Sequence, residues 1–206
     1  MGASVLAMPQ AQTFADSRIV VEAAAPGDAA AWDDFVASRP DAHGYHEWAW
    51  RDVLERSFGH PSTYLMARSG GAVTGVLPLV EMRSLLFGHF LTSLPFVNYG
   101  GVLATSPEAG QALAEAARNL GRVRGCRHVE LRHVDRRFLD LPVRQHKVTM
   151  RLPLAAGMWE RFDRKVRNQI RKAEKSGLTA ERGGGRLLPE FYAVFAHNMR
   201  DLGTPV

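Results

Sequence analysis

A single cysteine, Cys126, excludes an intramolecular disulfide and offers no metal-site spacing, which fits a reducing compartment. The first residues, MGASVLAMPQAQTFADS, lack a basic leader and a sustained apolar run, so they do not read as a secretory signal. Leu6 stands where myristoylation wants Ser or Thr. Nowhere do about 18 apolar residues run together, so the chain reads as a soluble cytoplasmic protein. There is no glycine-rich loop followed by Lys and Ser or Thr, which removes nucleotide hydrolysis from the candidates. No repeat or low-complexity tract is present.

What is present is a core-forming composition with a concentrated charge. The 206 residues are 46% hydrophobic, enough for one full domain, and the formal net charge is +5. The stretch GMWERFDRKVRNQIRKAEKSG, residues 157–177, holds seven Lys and Arg against three acids. A localised anion site fits this better than a surface coated for bulk nucleic-acid binding.

That stretch predicts one helix from Met158 to Ser176. Phe162, Val166, Ile170 and Ala173 form an apolar stripe to be buried on a core, preceded by Met158 and Trp159. Arg164, Arg167, Arg171 and Lys175 follow a neighbouring stripe, flanked by Lys165 and Lys172, and Gly177 is placed as a left-handed C-cap. Like charges four apart cost a few tenths of a kcal/mol per pair in an isolated helix, and a solvated face usually interleaves Glu to avoid that. Guanidinium forks match phosphate or carboxylate oxygens. We therefore take Arg164, Lys165, Arg167, Arg171 and Lys172 as candidate anion contacts, with Asn168 orienting a ligand oxygen.

The rest of the pattern is mixed α+β. Residues 18–23 read as a strand, Asp28 as the N-cap of a helix facing Trp32, Phe35 and Val36 inward, and 47–58 as a helix with Trp50, Val53 and Leu54 on its apolar side. Residues 63–68 and 72–82 form a hairpin around Gly70 and Gly71, and Pro78 limits the pairing of its second strand on one side. Residues 85–103 read as an irregular segment feeding a short strand. Ser106 and Pro107 open an Ala-rich helix running to about Arg124. Residues 127–134 and 147–154 alternate as strands, and 187–202 as a helix with Phe191, Val194, Phe195 and Met199 in register. The expected division is 1–143 and 144–206. The second part, with one strand and two helices, reads as unfinished and the chain as a C-terminally truncated fragment.

Other candidates are fewer. Trp50 and Arg51 form a second pair of substrate contacts, and Tyr99 and Gly100 lie in a turn that brings backbone amides near a ligand or simply turns the chain. His46, Asp52 and Glu130 are open alternatives for a general base, so the catalytic residues stay unassigned. His128 and His133 point to opposite faces of a strand, giving no metal site. Cys126 reads as an inert small hydrophobe.

The run KVTMRLPLAAGMWERFDRKVRNQIRKAEKSGL, residues 147–178, resembles the Fem-type peptidyltransferases and their BioF2-like relatives, through a K-x-R-x-x-I-R-K-A-x-K-x-G signature at Lys165 to Gly177. Tyr45, Trp50 and Val53 are similar to the family's Y/F-x-x-x-x-W-x-x-V element, and Asn98 to Gly101 stands where the family has an R-G-P-type turn. The ending FYAVFAHNMRDLGTPV is similar to FemAB-like proteins associated with exosortase and PEP-CTERM systems. The resemblance implies tandem acyl-CoA N-acyltransferase (GNAT-like) domains. It implies transfer of an acyl or aminoacyl group from acyl-CoA, an acyl carrier protein or aminoacyl-tRNA to an amine, in cell-envelope or exopolysaccharide metabolism. The alternative is a non-catalytic RNA- or anion-binding module using the basic helix, disfavoured by the lack of aromatic residues among its cations.

Overall fold

The computed structural model describes residues 18–86, 88–138, 140–144 and 148–204. The chain divides into two units, Met1–Arg144 and Gln145–Val206.

The first unit is a mixed sheet between helices, an α+β arrangement. Its elements in order are β1 (Val20–Ala23), α1 (Ala29–Ala37), α2 (Trp50–Phe58), β2 (Ser62–Ser69), β3 (Ala72–Ser84), β4 (Gly88–Thr92), β5 (Leu103–Ala104), α3 (Pro107–Val123) and β6 (Val129–Glu130). The sheet order is β1-β2-β3-β4-β6, with β5 also on β3. Every pairing is antiparallel except β4 with β6, which is parallel and spanned by the crossover helix α3.

The apolar run in β2 has a simple cause: the sheet is covered on both faces. Tyr64 and Met66 pack with Trp32, Phe35 and Val36 of α1, while Leu65 and Ala67 pack with Leu113 and Ala117 of α3. Alternation in polarity disappears when both faces are buried. Trp32, Met66, Leu77, Leu79 and Leu113 are fully inaccessible, each contributing roughly 1.5–3 kcal/mol of burial before chain entropy is subtracted. Helix α3 meets the sheet through Ala109, Leu113, Ala117 and Gly121, one small-residue stripe, and starts as its sequence demands: Ser106 Oγ accepts from Ala109 N–H at 3.2 Å, with Pro107 at the first position.

Several boundaries differ from the sequence expectation. Asp28 stands at the N-cap of α1 as expected, but its side chain makes no capping bond; its carboxylate accepts from Ala25 N–H and pairs with Arg68, and a 3₁₀ turn over Pro26–Asp28 precedes the helix. Helix α2 starts at Trp50, and only Leu54 of the expected apolar trio is buried; Val53 is 45% exposed. The expected irregular segment contains the strand β4. The strand expected over 127–134 contracts to β6, although Leu131 still packs beside Val129 under α3.

The second unit departs further. The expected strand at 147–154 does not form: residues 148–155 carry no regular structure, and Lys147 lies outside the described residues. The single basic helix is two, α4 (Met158–Arg161) and α5 (Arg164–Lys175). Phe162 is extended between them and Asp163 Oδ1 accepts from Val166 N–H at 2.8 Å, so an aspartate in mid-pattern starts a new helix rather than continuing the old one. Gly177 has φ 75°, the expected left-handed stop. Helix α6 spans Leu188–Asp201. No residue of α4, α5 or α6 is buried, and Val166, on the stripe expected to be covered, is 36% exposed. Without a strand in this unit among the described residues, no sheet receives the stripe. No helix among the described residues is long and apolar enough to cross a membrane.

The α3 contact yields a test. A Cβ on Gly121 would lie 2.6 Å from Val129 Cγ2. Alanine gains about 1 kcal/mol of helix propensity there, yet overpacking a stiff β-branched neighbour costs about 1–3 kcal/mol. Gly121→Ala is therefore expected to lower the urea midpoint, and adding Val129→Ala to relieve part of the loss. A Gly121→Ala protein more stable than the parent contradicts the α3–β6 packing.

Candidate functional site

The sheet is interrupted at one place. Val80 pairs with Thr92 and Val76 with Leu103, so residues 93–102 are inserted opposite residues 77–79 of β3. Glu81 N–H points to β2, where it bonds Pro61 O at 2.8 Å, so the alternating backbone turns residue 78 toward the insertion. Residue 78 is Pro78, which has no N–H to offer a strand there. The proline limits pairing on one side, as the sequence suggests, and the structure shows which side.

The inserted loop lies where parallel β4 and β6 end, beyond their carboxyl ends, a position at which open α/β sheets hold ligands. Arg132 fixes its first half, donating to Leu94 O at 3.2 Å and Val97 O at 3.0 Å while pairing with Glu130 at 2.6 Å. Leu94 (φ 41°) and Phe96 (φ 67°) sit in the left-handed region that non-glycine residues avoid. On its return the loop meets the chain after β6 at Gly101, whose N–H bonds Arg132 O at 2.8 Å.

Two imidazoles hold the return. His46, buried, accepts His43 N–H on Nδ1 at 3.1 Å, which leaves Nε2–H to donate to Gly101 O at 3.0 Å. His133 accepts Val102 N–H on Nε2 at 2.9 Å. Burial lowers the pKa of both rings, and the nearby Arg137 cation adds to the effect; His133 is pushed down to about 4. With both nitrogens engaged, His46 has no lone pair with which to take a proton from a nucleophile. Of the three base candidates it is a brace. Glu130 is held by Arg132, and Asp52 is exposed on α2.

The remaining candidates fall into two groups. Trp50 donates Nε1–H to Gly44 O at 2.9 Å and meets Tyr45 edge-on, and Tyr45 in turn lies 6.5 Å from Tyr99. Tyr99 also stacks on His43 at 5.2 Å, and Gly100 is buried against Leu94. Arg51 faces inward, 5.3 Å from Trp48 and 5.9 Å from Tyr64, donating to Glu55 and Ala24 O. In the second unit, Arg164, Lys165, Asn168, Gln169 and Lys172 line an open depression along α5. Arg171 lies over the Trp159 ring at 5.3 Å, and Arg167 is half-buried.

Sequence reasoning missed Arg132 and His133 as loop anchors, and a network on the opposite sheet face. There Glu81, 6% exposed, accepts from Arg83 at 2.7 Å, His89 at 2.8 Å and Arg124 at 2.8 Å. Burial raises its pKa, but these hydrogen bonds and the Arg124 charge outweigh that and the net shift is downward. Cys126 Sγ lies 3.4 Å from the same His89 nitrogen that bonds Glu81. That nitrogen cannot also serve as the thiol's base, and burial and Glu81 push the thiol pKa up. Among the described residues no group of three or more His, Cys, Asp or Glu could hold a metal ion.

No protein-family model matches the sequence, and no curated protein sequence does. Solved structures do. A GNAT family acetyltransferase from Staphylococcus aureus is 13% identical over 65% of this chain and 98% of its own, with a TM-score of 0.45. A ribosomal-protein-alanine N-acetyltransferase from Brucella melitensis is 12% identical over 65% and 99%, TM-score 0.45. An acetyltransferase from Trypanosoma brucei is 19% identical over 66% and 100%, TM-score 0.45.

The pH dependence follows from His133. Its folded pKa of about 4 lies below the ordinary value near 6.5, so the unfolded chain takes the proton first as pH falls. The stability it contributes is fully present above about pH 6.5 and is lost as pH drops toward 4, on the order of 3 kcal/mol at most. Urea unfolding at pH 7, 5.5 and 4.5 is expected to show that loss, with His133→Gln shallower. A flat profile from 7 to 4.5 contradicts the assignment.

Proposed function

We propose that the chain is an N-acyltransferase with a GNAT-like first unit, and that α5 grips the phosphates of its acyl donor. One observation carries the reading. Helix α5 bears Arg164, Lys165, Arg167, Arg171, Lys172 and Lys175 against Glu174 alone, and none of these cations is ion-paired among the described residues. Arginines elsewhere, such as Arg39, Arg68, Arg124 and Arg132, each pair with a carboxylate. Such a face is relieved by an anionic ligand, and phosphate oxygens match it. Asn168 and Gln169 lie in the same depression and supply neutral donors.

The donor class follows from that chemistry and from the Lys165 to Gly177 resemblance: acyl-CoA, an acyl carrier protein or aminoacyl-tRNA, all phosphate-bearing. In the transfer, an amine nitrogen bonds to the acyl carbon, the carrier's sulfur or oxygen leaves, and the amine's proton ends on the leaving group. The resemblance to FemAB-like proteins of exosortase and PEP-CTERM systems supports an envelope or exopolysaccharide acceptor.

A second reading, an RNA-binding module, gains from the Arg171–Trp159 pair, since a ring beside a cation suits a stacked base. The two separate experimentally. Charge reversal at Arg167 and Arg171 to Glu is expected to weaken coenzyme A and tRNA binding at least tenfold, about 1.4 kcal/mol, with the circular dichroism spectrum unchanged. Acyl transfer from a bound donor to an amine supports the enzyme. Steeply salt-dependent tRNA binding without transfer supports the module. Unaltered affinity in the reversed protein rejects α5 as the grip.

A further inference from the structure

The peptide bond joining Gly101 to Val102 is held at both its polar atoms by imidazoles far apart in sequence. His46 Nε2–H donates to its carbonyl at 3.0 Å, and His133 Nε2 accepts from its N–H at 2.9 Å. We propose that His46 and His133 form a paired-imidazole clamp that positions the loop 94–101, with Tyr99 and Gly100 on it, and that a second proton on His133 releases it. The inference concerns the loop itself and stands whether or not Tyr99 and Gly100 touch substrate.

The geometry demands two neutral rings in opposite tautomers. A neutral imidazole has one donor and one acceptor; both positions of His46 and the acceptor of His133 are in use. His46 carries its proton on Nε2 because Nδ1 faces His43 N–H; His133 carries its proton on Nδ1 because Nε2 faces Val102 N–H. A second proton on His133 sets N–H against Val102 N–H, whereas one on His46 opposes His43 N–H and leaves the bond to Gly101 O in place. The ring of His133 also packs directly on the chain it holds: a Cβ on Gly101 would lie 2.6 Å from His133 Nε2 and from Arg132 O, so the close approach requires glycine.

The surroundings oppose charging. Arg137 is the cation beside both rings and is itself paired with Asp41 at 3.3 Å, which also pairs with Arg39. His43 stacks on His46 at 6.0 Å, and Phe138 meets His133 edge-on at 5.6 Å. Arg132, next in sequence, is paired with Glu130. No carboxylate among the described residues bonds either imidazole. Burial therefore lowers the pKa of both rings, that of His133 to about 4. Once the clamp opens, the left-handed Leu94 and Phe96 favour relaxation of the loop.

The test is a pH titration of the whole chain labelled with ¹⁵N, following imidazole nitrogens and backbone amides. Expected are the Nε2–H tautomer at His46 and the Nδ1–H tautomer at His133, the latter persisting below pH 6, with the Tyr99 to Val102 amides shifting as His133 charges. In His133→Gln the side-chain oxygen accepts from Val102 N–H without titrating. Its amides 99–102 are expected to keep their neutral-pH shifts and to lose the acid step that follows His133. His133 charging near the ordinary value of about 6.5, both rings in the same tautomer, or an undiminished acid step in His133→Gln overturns the clamp. If His133→Gln does not fold, the tautomers and midpoints of the parent chain decide alone.

Discussion

The ladder along β3 breaks at Pro78, and the first unit is organised around that gap. A strand pairing there would need an N–H that proline lacks, so the neighbour leaves the sheet after Thr92 and rejoins it at Leu103. The excursion carries strained residues, and strain persists only where surrounding contacts over-determine it. Here they do: Arg132 holds two carbonyls of the outgoing half, and His46 and His133 hold one peptide of the return. The anchors come from the chain just after β6 and from the turn before α2, so the loop ties the β6 edge to the chain before α2.

The second unit obeys a different balance. Helix α5 has an N-cap, a glycine stop and a rich supply of charge, but its apolar stripe has no covered face in its own unit. Isolated helices of this length are marginal in water, and repulsion among six cations lowers their stability further. A ligand that neutralises the cationic face would add to helix stability as well as being bound by it. In this unit binding and order are one problem.

Much of the fold was legible because its signals are local. Ser106 and Pro107 announced α3, and Gly70 and Gly71 the hairpin. The failures are non-local or competitive. Asp163 sat within an unbroken 3.6-residue pattern, yet its carboxylate captured Val166 N–H and split the helix. The alternation at 147–154 suited a strand, but an alternating pattern without partners to pair with is not a sheet. Of the site, the cationic stripe was visible in spacing alone. The clamp was not: Gly101 contacts His46 and His133 across long sequence separations, and nothing in either neighbourhood marks the histidine as a partner of the Gly-Gly pair.

Amide hydrogen exchange of the unmodified chain at neutral pH reaches the interrupted ladder most directly. The amides of Leu91, Ser93, Gly101 and Val102, bonded to His128 O, Glu130 O, Arg132 O and His133 Nε2, should be protected alike. The amides of residues 96–98 between them should exchange at least tenfold faster. Uniform slow exchange from 91 to 104 would mean a continuous strand, and fast exchange at Gly101 and Val102 would mean an unclamped loop; either contradicts the account.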